Sequence, residues 1–336
     1  MGPVKETLYI TGSGRLSRKD RTLRFDREGD DRPRYVPIER IQDILIFGEV
    51  ELNKRFLEFM TQHLIPIHFF NRYGHYVGTY YPREHYSSGH LLLRQVMHYL
   101  DDERRLALAR KFVAGSLFHL QQVLRYYIRR GHSAIEPLAE EIAGHQARLE
   151  ELTRVPQLMQ AEGQAWEAYY RAMDAILDGT EFAFVRRSRR PPHNALNALL
   201  SFANTLLYTA ILSEIYKTHL DPRIGYLHET NFRRFTLHLD VAEVFKPILA
   251  DRLVIRLVQK QQIQPKHFTA TLGGIYLTEE GRKIVLQAWE ERMKATFHHR
   301  PLKRNVSYRR LLRLELYKLE KHFLGDAEYV PFRARW

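Results

Sequence analysis

The spacing of apolar residues changes once along this chain, between residues 80 and 90, and that change decides what it can fold into. Upstream lie short β-branched or aromatic runs: "TLYI", "TLRF", "ILIF", "VEL", "IPIHFF" and "YVGTYY". Turn-forming "TGSG", "FGEV" and "NRYG" separate them, the pattern of strands joined by tight connections. One helix interrupts: in "NKRFLEFMTQHL" Asn53 can cap the start, and Phe56, Leu57, Met60 and Leu64 share a face. Downstream the period is helical. "RKFVAGSLFHLQQVLRYYIRRG" puts Val113, Leu117, Leu120, Leu124 and Ile128 on one stripe and stops at Gly131. Further helices are predicted at about 136–152, 158–177, 194–219, 240–260, 279–296 and 307–323.

The expectation is an α+β chain in two domains, and 336 residues suffice for both. A β-rich domain, a β-sandwich-like sheet with one helix, spans 1–85. A linker at 86–92 follows the proline of "YYPREHYSSGH", and an all-α domain spans 93–336. The ending "EYVPFRARW" is too aromatic for a plain disordered tail and is expected to dock.

Composition narrows the function. Lys and Arg outnumber Asp and Glu to leave a net charge of +13, which points to a polyanionic partner, since phosphate contacts supply the sequence-independent part of nucleic-acid affinity. There is no cysteine, so thiol catalysis, thiolate metal sites and disulfides are excluded together. No apolar run approaches the roughly 18 residues of a membrane span. "MGPVKETLYI" has no secretory h-region, and Thr7 is one place too far for a myristoylation signal. A cytoplasmic protein is the simplest reading.

Three stretches carry candidate chemistry. In "LMQAEGQAWEAYYRAM" a glycine, Gly163, follows Glu162 inside a predicted helix, where glycine costs about 1 kcal/mol relative to alanine. Either the helix starts weakly here, or something, an ion, a phosphate or a neighbouring helix, must approach Glu162 closely. In "LDVAEVFKP" Asp240 and Glu243 stand three apart, on one face and one turn from each other. Acids there also complement a helix dipole, and a lone histidine such as His228 is ordinarily structural. Taken with Glu162, the set of one imidazole, two or three carboxylates and no thiol suits Mg²⁺ or Mn²⁺. Asp221, Glu229 and the other histidines compete on composition alone. In "FAFVRRSRRPPHNAL" Arg186, Arg187, Arg189 and Arg190 precede two prolines and a long apolar helix, a candidate phosphate-gripping loop. A second basic run, "HHRPLKRNVSYRRLLR", either extends that track or is the outer face of a helix.

These pieces, in order and nearly end to end, resemble the CRISPR-associated integrase of spacer acquisition, the Cas-one family. "LYITGSGRLSRKDRTLRF" looks like its opening hairpin, and "IQDILIFGEVELNKRFLEFMTQHLIPIHFFNRYGHYVGTY" like its β-domain core. "AEGQAWEAYY" is similar to its glutamate helix, and "RRPPHNALNALLSFANTLLYTAI" to its Arg-Pro-Pro segment and core helix. "GYLHE" and "LDVAEVFKP" resemble its histidine turn and acidic helix. The resemblance implies a dimerising β-rich domain, a homodimer, and assembly with a small ferredoxin-like partner, Cas-two. It implies a transesterification, dependent on Mg²⁺ or Mn²⁺, in which the 3′-hydroxyl of a captured DNA fragment attacks the CRISPR repeat. The family's metal ligands fall on Glu162, His228 and Glu243, and its neighbouring acid falls on Asp240. Two departures stand out: Glu243 replaces the aspartate of many relatives, and Glu167 is an extra acid expected to lie off the face of Glu162. The expected function is a DNA integrase and endonuclease. The competing class is a non-catalytic nucleic-acid-binding scaffold; a membrane-surface protein has no basic amphipathic helix in its favour.

Overall fold

The computed structural model describes residues 5–83, 86–182, 187–188, 191–230, 235–271 and 273–334. They form two compact units, 1–87 and 88–336, which are strand-rich and helical in that order.

The first unit contains β1 (Glu6–Ile10), β2 (Gly14–Lys19), β3 (Thr22–Arg27), β4 (Arg34–Pro37), β5 (Ile41–Ile46), β6 (Val50–Glu51), α1 (Lys54–Gln62), β7 (Ile67–Phe70) and β8 (Tyr76–Tyr80). Two four-stranded sheets result, ordered β1-β5-β7-β8 and β4-β3-β2-β6. In the first, β1, β5 and β7 run parallel and β8 returns antiparallel. In the second, β2, β3 and β4 form a meander with β6 parallel at its edge. Ile10, Ile44, Ile46 and Ile67 from one sheet share a core with Leu16, Leu23 and Phe25 from the other, and α1 adds Phe56, Phe59 and Met60. Asn53 caps α1 by accepting the Phe56 N–H at 2.9 Å. The "TGSG" and "FGEV" turns meet backbone to backbone: a Cβ on Gly48 would lie 2.2 Å from the Gly12 carbonyl oxygen, so only glycine fits there.

The second unit holds α2 (Gly89–Leu100), α3 (Asp102–Ile128), α4 (Glu136–Ala147), α5 (Val155–Ile176), α6 (Ala195–Ile215), α7 (Leu237–Lys246), α8 (Arg252–Gln259), a hairpin of β9 (Phe268–Thr271) and β10 (Gly274–Leu277), α9 (Glu279–Lys294), a second hairpin of β11 (Thr296–His299) and β12 (Arg304–Ser307), and α10 (Tyr308–Leu324). The linker expected at 86–92 is helical from Gly89 on, because the Ser88 hydroxyl accepts the Leu91 N–H and starts α2. The two hairpins are too short to show in the apolar pattern of the sequence. On α3 the expected stripe is inside: Val113, Leu117, Leu120 and Leu124 are fully buried. The helix expected at 240–260 is three pieces, since Pro247 opens a π-helical turn, Pro247–Asp251, between α7 and α8. Helix α6 is long and apolar enough to cross a membrane by length and composition, yet 78% of that window is buried inside the unit. It is the core helix, with α7, α10 and β10 packed around it. The aromatic ending does dock: Tyr329 is fully buried and its hydroxyl donates to Glu315 at 2.8 Å.

Candidate metal centre

The site is built where α5, α7 and the turn before α7 meet. That turn is tied down by glycine and by hydrogen bonds. The Gly225 N–H donates to the Thr236 hydroxyl at 2.8 Å, and a Cβ at 225 would sit 2.7 Å from the Thr236 Cβ. Asp240, in the first turn of α7, then collects the chain that follows. Its Oδ2 accepts the N–H groups of Tyr226 at 2.5 Å and Leu227 at 3.1 Å. Its Oδ1 accepts the N–H of His228 at 2.9 Å and the His228 Nδ1–H at 2.8 Å. With these bonds made and no exposed surface, Asp240 has nothing left to offer an ion; it orients His228.

The His228 imidazole consequently turns Nε2 toward Glu243, 3.9 Å from its Oε1. Glu243 lies one turn beyond Asp240 and is buried. The same Oε1 is contacted by the ammonium of Lys246, a further turn along α7. From α5, Glu162 completes the group: it is buried, and its Oε1 has no hydrogen-bond partner. Aromatic faces enclose the cation, with Trp166 and Tyr208 ring centroids 5.7 and 5.4 Å from Lys246 Nζ.

The electrostatics follow from burial of two facing acids. Burial first, and the charge of Glu243 second, hold the Glu162 carboxyl well above the usual carboxylate range. Glu243 is held below it: burial opposes this, but Lys246 and His228 outweigh burial. His228 is raised, since hydrogen bonding and charge from Asp240, with Glu243, overcome its own burial. Burial and mutual repulsion thus push the acidities of the two facing carboxyls apart, the behaviour of carboxylates that share a site.

Among the described residues no three His, Asp or Glu side chains are drawn together tightly enough to hold a metal ion as they stand. The donor set nevertheless fits a hard divalent cation. Glu162 has an orphaned buried oxygen, His228 presents a ring nitrogen whose other nitrogen is held by a carboxylate, and Glu243 already accepts a cation from Lys246.

The structure thus brings Glu162, His228, Glu243 and Asp240 together, with Asp240 set behind His228. Gly163 is not explained by a packed helix, for a Cβ there would meet nothing within 4 Å. Glu167 is exposed and off the site, as its spacing predicts. Of the arginine run, Arg186, Arg189 and Arg190 lie outside the described residues. Arg187 is engaged within the protein, donating to the Asn197 side chain at 2.9 Å and the Ser201 hydroxyl at 3.3 Å on α6. The second basic run is partly absorbed too: Arg309 pairs with Glu290 at 2.8 Å and Arg313 with Glu214 at 2.5 Å. The sequence reading missed Lys246, although D-x-x-E-x-x-K places it on the same helical face at the same three-residue step. It also missed Asp251, a fully buried acid with neither oxygen partnered.

A strand-rich unit followed by a helical unit with a buried acid–imidazole cluster, on a strongly basic chain, has the features of a protein that acts on nucleic acid. Comparison with known proteins places it within that class. The family profile described as "CRISPR associated protein Cas1" matches residues 8–291. A "CRISPR-associated endonuclease Cas1 2" of Thermodesulfovibrio yellowstonii is 51% identical over 335 residues, covering 99% of this chain and 100% of the relative. A "CRISPR-associated endonuclease Cas1" of Thermotoga maritima is 46% identical, covering 96% and 98%. The solved Cas1 structure from Thermotoga maritima superposes with a TM-score of 0.87 at 44% identity, over 98% of this chain and 100% of that one. A casposase bound to its integration product shares the fold, with a TM-score of 0.83 at 18% identity and coverage of 98% and 93%. The chain belongs to the CRISPR-associated Cas1 family.

Proposed function

We propose that this chain is the DNA integrase and endonuclease of CRISPR adaptation, inserting captured DNA fragments into the repeat array with the help of Mg²⁺ or Mn²⁺. The observation that carries the reading is the Asp240–His228–Glu243–Glu162 constellation, in a chain 51% identical to a CRISPR-associated endonuclease. It acts as a homodimer, in the cytoplasm, on double-stranded DNA and the leader–repeat junction, together with Cas2. Support for that assembly comes from a fold shared with 36% of a chain of a "Cas6-RT-Cas1--Cas2 complex" (TM-score 0.84, 18% identity) and from the net charge of +13.

Each residue has a task. Asp240 holds hydrogen on His228 Nδ1 and aims Nε2 toward the acids, where it offers a lone pair in the neutral imidazole. Glu162, Glu243 and His228 would hold the divalent ion, which supplies charge neutralisation at the scissile phosphate and activation of the attacking hydroxyl. Lys246 favours the ionised form of Glu243. Basic side chains, the arginines at 186, 189 and 190 among them, grip phosphate and set register without reading bases.

Glu162→Ala and His228→Ala should abolish Mn²⁺-supported strand joining while DNA binding survives; normal joining by either variant sinks the assignment. The Lys246–Glu243 pair favours a second reading, in which the acids are structural and the chain is a non-catalytic nucleic-acid-binding scaffold. Melting in Mn²⁺ separates the two. A native-state ligand at about 100 times its Kd adds about 2.7 kcal/mol of stability. A shift in wild type that disappears in Glu162→Ala supports the centre, and no shift supports the scaffold.

A further inference from the structure

We propose that His119 and the C-terminal segment 329–334 form a brace that positions α7, the helix carrying Asp240, Glu243 and Lys246, for cation binding. The part concerning the cation rests on the proposed function; the brace itself does not. Residues 329–334 are tied at several points beside one short helix. Glu315 of α10, fully buried, accepts the Tyr329 hydroxyl and the Phe332 N–H, each at 2.8 Å, on one oxygen, and the Lys318 ammonium at 2.7 Å on the other. The Phe332 ring lies nearly parallel to that of Phe245 in α7, with centroids 6.2 Å apart and planes 14° apart.

The decisive link is His119, on α3 and fully buried. Its Nε2 accepts the Ala334 N–H at 2.9 Å, and its Nδ1 donates to the Val244 carbonyl at 2.7 Å. A carbonyl only accepts and an amide N–H only donates, so the ring carries its hydrogen on Nδ1. One imidazole therefore joins the chain end to the backbone of the residue after Glu243. Gly115, one turn before His119, allows this approach: a Cβ there would fall 2.9 Å from Pro331 Cβ and 3.2 Å from Val244 Cγ2. Support at this point matters because α7 has only 10 residues and ends at Pro247, which supplies no N–H to the carbonyl of Glu243. The face of α7 bearing the acids lies toward α5 and His228; the brace holds its other side.

The test uses full-length variants. Ala334→Pro removes the one N–H that reaches His119, His119→Leu removes both ring contacts, and Phe332→Leu keeps apolar bulk while losing the stacked ring. Amide hydrogen exchange of the metal-free protein and Mn²⁺ titration are both read. We expect exchange across 243–246 to speed up about tenfold with α10 unchanged. Mn²⁺ should bind about tenfold more weakly, the scale of effects from residues behind metal ligands. Unchanged exchange in α7, or an equal rise across the whole helical unit, overturns the brace. Faster exchange in α7 with unaltered Mn²⁺ affinity overturns its role in cation binding. If the wild type binds no Mn²⁺, the proposed function fails, and exchange alone decides the brace.

Discussion

Two buried acid clusters of the helical unit make an instructive pair. At Glu315 both carboxylate oxygens are filled, by Tyr329, Phe332 and Lys318, and the result is a docked chain end. At Glu162 one oxygen is orphaned and the nearest acid, Glu243, raises its pKa. Protein interiors seldom leave a buried carboxylate half-satisfied unless something else completes it. The first cluster spends its acid on the fold. The second holds capacity in reserve, and that difference, rather than the number of acids, marks the site.

Glu162→Gln should therefore show the largest contrast. On the proposed function it removes a ligand of the ion, so strand joining should fall about a thousandfold, several kcal/mol of transition-state stabilisation, while a neutral amide eases the burial of two facing acids. The melting temperature should hold or rise. Equal losses of activity and stability would erase the distinction from Glu315. Glu315→Ala is the converse. It strands a buried phenol and a backbone N–H, and chemical denaturation should report a loss of about 2 kcal/mol. Stability within error of wild type would show that the saturated cluster does not hold the fold. Asp240→Asn lies between them. An amide cannot accept all the N–H groups that the carboxylate now takes, and we expect a ten- to hundredfold weaker Mn²⁺ affinity, about 1.4 to 2.7 kcal/mol. Unaltered affinity would detach Asp240 from the site.

Legibility followed physics rather than importance. Asn53 before an apolar run, the stripe from Val113 to Leu124 and the change of period near residue 85 are local signals, and each appears in the structure as expected. Glu162, His228 and Glu243 were selected by family resemblance; spacing alone left Asp221 and Glu229 equal to them, because Glu162 and His228 stand 66 positions apart and only tertiary packing joins them. Lys246 was readable at its three-residue step. Asp251 was not. Eight residues beyond Glu243, it should be turned about 80° away on a regular helix. The π-helical turn Pro247–Asp251 takes up one extra residue and restores it toward the same side, within electrostatic reach of Glu243. Nothing in the local sequence except Pro247 announces that turn.

Asp251 also sets the smallest and sharpest prediction. Burial pushes its carboxyl up to about 7, with Glu243 adding to the rise and Lys246 and Arg187 opposing it; Tyr169, whose buried hydroxyl is likewise unpartnered, senses its charge. An unfolded aspartate loses its proton near pH 4. Between about pH 4 and 7 the folded state therefore holds a proton that the unfolded chain has released, and stability must fall as pH rises through that window. In Asp251→Asn this contribution is gone. The melting temperature of wild type minus that of the variant should increase as pH is lowered from 7 to 4 and stay level above 7.5. Parallel curves across that range would mean that Asp251 is ionised and paired in the fold, which would place it with Glu315 rather than with Glu162.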